Sequence, residues 1–281
     1  MKKAKDGKPK PPFPKQHQRR PGKESALSPR PQYQAAAYRS AGKLEGKVAL
    51  ITGGDSGIGR SVAIAHLPNE QDDADEIIAE IFALGRRAVS LPGDVTSPEY
   101  CKKAVEQTVK QLGKLDILVN NAAYQRHVDA IEDLSDEQFE LTFRTNIFGY
   151  FYMARAAMAE LPRGGAIINT GSITGLEGSK GLLDYASTKG AIHAFTKSLA
   201  QQLVPRGIRV NAVAPGPVWT PLNVADRPAK DVAVFGADTA MGRPAQPEEI
   251  APAYVFFASA GDSSFITGEV LSALGGDTTA A

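Results

Sequence analysis

The chain has 281 residues, 42% of them hydrophobic and 22% charged, with a formal net charge of +1. That balance excludes a collagen-like or wholly disordered chain and leaves room for a sizeable core, in one large α/β domain or two small ones. A single cysteine, Cys101, excludes an intramolecular disulfide and fits a reducing cytosol, and no apolar run approaches a membrane span.

The first part of the chain differs from the rest. Residues 1–47 carry 13 Lys and Arg against 3 Asp and Glu, so a basic head precedes an acidic body. Residues 1–42 contain seven prolines and almost no periodic apolar pattern. The stretch "KPKPPFPKQHQRRPGKE" cannot bury enough surface to fold alone, so this extension is expected to be extended or disordered. It has no apolar h-region, which argues against a secretory signal. A nucleic-acid or anionic-surface arm is a sharper reading of its charge. Aromatic residues are sparse, however, and nothing downstream resembles a nucleic-acid module, so neither a nucleic acid nor a membrane is expected as a partner. A third reading is an arm packed on a neighbouring subunit, with Phe13 and Tyr33 as anchors.

Lys47 opens a different pattern. "KVALIT" (47–52) is a short apolar run that reads as a buried parallel strand. "ITGGDSGIGR" follows it, placing Gly53, Gly57 and Gly59 at the spacing Gly-x-x-x-Gly-x-Gly. Glycines there permit positive φ and close approach of the backbone to a pyrophosphate, and a following helix N-terminus offers free N–H groups to phosphate. The position after a first strand makes this turn a dinucleotide-binding candidate.

The next stretch, "GIGRSVAIAHLPNEQDDADEII", begins like the first helix of such a unit and then runs into Pro-Asn-Glu-Gln where a second strand is due. A helix, strand, helix and strand at typical lengths need about 45 residues. Only 35 positions separate Gly59 from Asp94. Residues 72–85 claim the second helix and 87–93 ("RAVSLPG") the third strand. The second strand is therefore expected to be missing, with the junction between Ala65 and Leu67, leaving a gap in a 3-2-1-4-5-6 sheet. The side chain that separates NAD from NADP normally stands at the end of that strand, so the cofactor is left as NAD or NADP. Asp55 mildly disfavours a 2′-phosphate, and Arg60 mildly favours one.

Ser97 and Pro98 start a helix that Gly113 closes. "LDILVNN" (115–121), "AIINTG" (166–171), "IRVNAVAP" (208–215) and "GEVLSAL" (268–274) are further strands, with helices over about 135–160, 184–204 and 247–260. Strand–helix alternation predicts an α/β fold, a doubly wound parallel sheet of Rossmann-like type.

"SITGLEGSKGLLDYASTKGAIHAF" carries Ser172, Tyr185 and Lys189. Tyr185 and Lys189, four positions apart, share one helix face, and Ser172 follows the carboxyl end of a strand, where open α/β sheets bind ligands. A nearby ammonium favours the phenolate of a tyrosine whose usual pKa is about 10. The pair suits general acid/base chemistry on an alcohol or carbonyl. His66, His127 and His193 have no ligand-like spacing with one another or with Cys101, so no metal is expected. His127, after "NNAAYQR", stays a candidate for substrate contact.

Taken together, "TGGDSGIG" (52–59), "NNAA" (120–123), Asn146 in the long middle helix, Ser172, Tyr185 with Lys189, and "PGPVWT" (215–220) resemble the motif series of the short-chain dehydrogenase/reductase family over residues 43–281. The head "PKQHQRRPGKES" resembles the N-terminally extended, glucose/ribitol dehydrogenase-like bacterial subgroup. The resemblance implies that Tyr185 exchanges a proton with the substrate oxygen, Ser172 hydrogen-bonds that oxygen, Lys189 holds the nicotinamide ribose and depresses the tyrosine pKa, and Asn146 supports a proton-relaying water. It implies a cofactor site at Gly53, Asp55, Ser56, Gly57, Ile58 and Gly59, with Asp94, Val95, Asn120 and Ala122 around the adenosine. Pro215, Gly216, Val218 and Thr220 fall at the nicotinamide end. Asn120 could instead pin neighbouring strands, Asn146 could bend its helix, and Asp94 could only cap a turn. The implied protein is a cytoplasmic homotetramer that moves a hydride between NAD(P) and a secondary alcohol, polyol or carbonyl compound. The shortened first unit leaves an alternative, a catalytically impaired dinucleotide sensor or scaffold.

Overall fold

The computed structural model describes residues 3, 4, 6–35, 38, 39, 41–53 and 61–278. Among these residues, seven strands form one parallel sheet: β1 (Val48–Thr52), β2 (Ser61–His66), β3 (Arg87–Pro92), β4 (Ile117–Asn120), β5 (Ala166–Thr170), β6 (Arg209–Pro215) and β7 (Val270–Ala273). Their order is β3-β2-β1-β4-β5-β6-β7, the Rossmann order extended by a strand at one edge. The strands read as continuous apolar runs because both faces are covered. In β1, Val48 and Leu50 enter one core cluster while Ala49 and Ile51 enter the other; Leu118 of β4 and Ile167 of β5 join the first, and their neighbours Ile117 and Ile168 the second.

The helices are α1 (Gln71–Ala83), α2 (Pro98–Leu112), α3 (Asp136–Phe143), α4 (Gly149–Ala157), α5 (Thr174–Glu177), α6 (Leu183–Leu203), α7 (Pro221–Asp226), α8 (Ala229–Val232), α9 (Pro247–Ala258) and α10 (Ala260–Ser263). α2, α4 and α6 supply the first cluster, and α1 and α9 the second. The signals at α2 act as expected: Ser97 accepts from the Tyr100 N–H at 3.2 Å, and Gly113 closes the helix at φ 95°.

The expectation of a missing second strand is overturned. "SVAIAH" forms β2, paired in register from Val48↔Ser61 to Thr52↔Ala65 on one side and from Ser61↔Arg87 to His66↔Pro92 on the other. The physical reason is that Val62 and Ile64 fill the second cluster and Ala63 and Ala65 the first, while β1 and β3 satisfy the backbone. The interval is nevertheless short. Residues 53–60 alone join β1 to β2, whereas parallel strands are usually linked by about a dozen residues or more. Of that connection only Gly53 is described.

The described residues of the head are irregular apart from a 3-10 turn at Glu24–Ala26, and several of them pack on the rest of the chain. Phe13 and Leu27 are buried with Trp219, Val224, Val232 and Phe235. The Phe13 and Trp219 rings lie 4.2 Å apart, and the Trp219 indole donates to the Pro29 carbonyl at 2.7 Å. Beyond this cluster the basic segment runs along the acidic α1. Lys23 pairs with Asp72 and Arg30 with Glu76, each at 2.5 Å, and Tyr33 donates to Glu80 at 3.0 Å. The Glu248 N–H of α9 donates to the Gln32 carbonyl at 3.1 Å. Phe13 and Tyr33 thus have partners on their own chain, in the apolar pocket around Trp219 and on the acidic face of α1.

Candidate functional site

A cleft of about 650 Å³ opens along the carboxyl edge of the sheet. It crosses the point where strand order reverses between β1 and β4, the place where doubly wound sheets bind ligands. Gly53 sits there at φ +57°, and a Cβ on it would lie 2.8 Å from the Ala122 Cα. Thr52 Oγ1 accepts from the N–H groups of Asn121 (2.9 Å) and Ala122 (3.1 Å), and Asn121 Nδ2 donates to the Gly53 carbonyl at 2.5 Å. These bonds fix the crevice from both strands.

At one end the cleft is lined by His66, Asp94 and Val95, and at the other by Pro215, Gly216, Val218 and Thr220, with Ala122 between. Asp94 also caps its own turn, accepting from the Thr96 N–H at 2.8 Å. Asn120 does not line the cleft. It is fully buried in the sheet and donates to Asn169 at 3.0 Å, so it pins β4 to β5. Its neighbour Asn121 occupies the crevice instead, because strand alternation turns successive side chains to opposite sides. Asp55, Ser56, Gly57, Ile58 and Gly59 lie outside the described residues.

Ser172, Tyr185 and Lys189 come together on the cleft wall. Tyr185 and Lys189 stand one turn apart on α6, with the Lys189 ammonium nitrogen 5.3 Å from the Tyr185 ring centre. Lys189 Nζ donates to the Thr170 carbonyl at 2.7 Å. Burial lowers the Lys189 pKa to about 7. Burial also raises the Tyr185 phenol above its usual value, opposed by hydrogen bonding to Ser172. Desolvation thus disfavours the charged form of both side chains.

Behind Ser172 stands His193, which the sequence reading considered only as a metal ligand. Its Nε2 faces the Ser172 N–H at 3.5 Å, and its Nδ1 has no hydrogen-bond partner among the described residues. Burial first, then the charges of Lys189 and Lys197, lower its pKa to about 4, so it stays neutral. A Cβ on Gly171 would meet the ring at 2.3 Å, so glycine is needed for this approach.

Asn146 occupies a π-helical turn, Arg144–Phe148, between α3 and α4. Its amide donates to the Tyr124 carbonyl and the Thr188 hydroxyl, both at 3.0 Å, and its Oδ1 accepts from the Tyr124 N–H at 2.7 Å. It therefore ties the loop after β4 to α6.

At the mouth, Asp226 is fully buried. Its Oδ1 accepts from the His127 N–H at 2.8 Å, and Oδ2 binds the His127 ring and, at 2.9 Å, Gln125 Nε2. Arg20 of the head completes the cluster, donating to Asp226 at 2.6 Å. Burial by itself would raise the Asp226 carboxyl, but these donors hold it below its usual value. His127 is held by Asp226 and does not line the cleft, whereas Gln125, Arg20 and Arg227 do. No local pattern marked these residues, because they meet only when the head folds over α7.

The fold and the crevice define a dinucleotide-type α/β protein. Residues 56–278 match the family described as enoyl-(acyl carrier protein) reductase. The chain is 52% identical to the uncharacterized oxidoreductase YhdF of Bacillus subtilis over 272 residues, 93% of this chain and 94% of that protein. It is 46% identical to the glucose and ribitol dehydrogenase of Daucus carota over 282 residues, 94% of this chain and 96% of that one. A short-chain dehydrogenase from Burkholderia cenocepacia, solved in complex with NADP, superposes with a TM-score of 0.76 at 32% identity, over 83% of this chain and 98% of its own. The chain belongs to the short-chain dehydrogenase/reductase family and is an oxidoreductase of that family.

Proposed function

We propose that the protein interconverts a secondary alcohol, in particular a polyol, and the corresponding carbonyl compound, with NAD or NADP as cofactor. The observation that carries this reading is the grouping of Ser172, Tyr185 and Lys189 on one wall of the switch-point cleft. The relative that acts on glucose and ribitol supports the polyol. The described residues fit an elongated dinucleotide. The cleft runs from His66 and Asp94 past the bare backbone of Gly53 to Lys189 and Thr220. Asp94, Val95 and Ala122 would hold the adenosine end, and Lys189 with Pro215–Thr220 the nicotinamide end. When bound, the nicotinamide supplies the two-electron redox chemistry at the substrate carbon.

Tyr185 supplies the proton. Desolvation keeps its phenol protonated through the neutral range, so it stands ready as the acid for a carbonyl oxygen. Ser172 Oγ, which already accepts from the Thr174 N–H at 3.2 Å, is positioned to donate to the same oxygen. Asn146 holds the Tyr124 loop and α6 in register. β2 keeps its place in the sheet, so the short β1–β2 connection is the one motive left for the sensor reading.

The pH dependence tests the role. Alcohol oxidation needs the phenolate, so its kcat should climb toward alkaline pH. Carbonyl reduction should be flat until the same pKa is reached. Rates monitored by NAD(P)H absorbance for both directions decide this, and an oxidation rate independent of pH would contradict the role of Tyr185.

A further inference from the structure

We propose that the N-terminal segment forms a wall of the substrate site, and that the spare N–H groups of Arg20 bind hydroxyl oxygens of a polyhydroxylated substrate. This rests on the alcohol–carbonyl reading above.

Arg20, Pro21 and Gly22 line the same cleft as Ser172 and Tyr185. The segment reaches it by a tight seat on α7. Gly22 has φ +88°, and a Cβ there would lie 3.1 Å from the Pro221 Cβ and 3.3 Å from the Ala225 Cβ. The apolar cluster of Phe13 and Leu27 with Trp219 fixes the segment on both sides of Arg20.

A guanidinium has five N–H donors. Arg20 uses one on Asp226 at 2.6 Å and one, through Nε, on the Gln125 carbonyl at 3.3 Å. The remaining three have no acceptor among the described residues. The side chain is 35% exposed, whereas its partner carboxylate is 0% exposed. Asp226 therefore fixes and neutralises the guanidinium while leaving its free edge available to the cleft. Arg227 adds a second guanidinium, 5.1 Å over the Phe235 ring, with its Nε buried and lacking an acceptor among the described residues. A mouth rich in fixed donors suits a ligand rich in oxygen acceptors. An apolar ketone would leave these donors without partners, which is costly once water is displaced.

The test compares Arg20→Lys and Arg20→Gln with the parent, on ribitol and on 2-butanol, with saturating NAD or NADP. Arg20→Lys keeps a cation facing Asp226 and guards against a variant that simply unfolds; its melting point should match the parent. A hydrogen bond from a charged donor is worth enough that KM for ribitol should rise about tenfold in both variants, with kcat within about threefold. KM for 2-butanol should change less than about twofold. Equal losses on both alcohols, or no change on ribitol, would overturn the proposal. A parent that oxidises 2-butanol but not polyols would overturn it while leaving the alcohol–carbonyl reading intact. A parent inert with every alcohol and carbonyl tried would overturn both.

Discussion

Phe13→Ala tests whether the head is an integral part of the fold. The Phe13 ring is 4% exposed and lies 4.2 Å from Trp219, which is fully buried and is the only tryptophan in the chain. Truncating a packed phenylalanine costs about 3–5 kcal/mol, the lower end applying where neighbours can close the space. The head lies at the surface and can settle inward, so about 3 kcal/mol is expected. The exposed ion pairs along α1 add little to hold it. At about 2 °C per kcal/mol for a chain of this size, the melting point should fall by about 6 °C. Removal of the ring also brings water to the indole, so native emission should shift to the red before unfolding begins. A urea titration followed by tryptophan fluorescence reads both effects. An unchanged emission maximum together with an unchanged midpoint would refute the seating of Phe13 on Trp219.

Burial lowers Lys189 from 10.5 to about 7. Between those values the folded chain has released a proton that the unfolded chain keeps, so stability rises with pH across that window and the full penalty is present below about 7. Lys189→Met removes the penalty. The variant should be inactive and should gain in melting point over the parent near pH 6, with a lead that shrinks toward pH 10; a difference constant with pH would contradict the shift. Phe139, Phe148 and Phe151 are exposed between Asp136 and Ala157, and Phe265 is 101% exposed before β7, apolar surface suited to the association of chains proposed as a homotetramer. Light scattering at micromolar concentration should give four chains, and a monomer would exclude it.

Six strands, the caps of α2 and the Ser-Tyr-Lys grouping were legible because each rests on local signals: apolar runs between breakers, an N-cap with proline, and an i, i+4 pair. The second strand was not. "SVAIAH" is too short for its period to separate helix from strand, and it follows a glycine turn that normally opens a helix. Only the open edges of β1 and β3 decide the matter, and those edges are tertiary. The same holds for the site. The motif named Asn120, but pleating turns Asn121 to the crevice. Arg20 and Asp226 are separated by more than two hundred positions, and each is an ordinary charge in its own stretch. The head read as solvated because its own apolar content is low; its anchors, Phe13 and Leu27, are completed by Trp219 and Phe235 far along the chain.

The central claim is that Tyr185 exchanges the proton with the substrate oxygen. Tyr185→Phe removes only a hydroxyl from a buried ring and leaves the cleft its shape. Turnover of the best alcohol or carbonyl, followed by NAD(P)H absorbance, should fall by about 10²–10⁴-fold, the usual contribution of a positioned acid or base. NADH titration by fluorescence should give the parent's affinity. Turnover that persists undiminished in the variant would contradict the account.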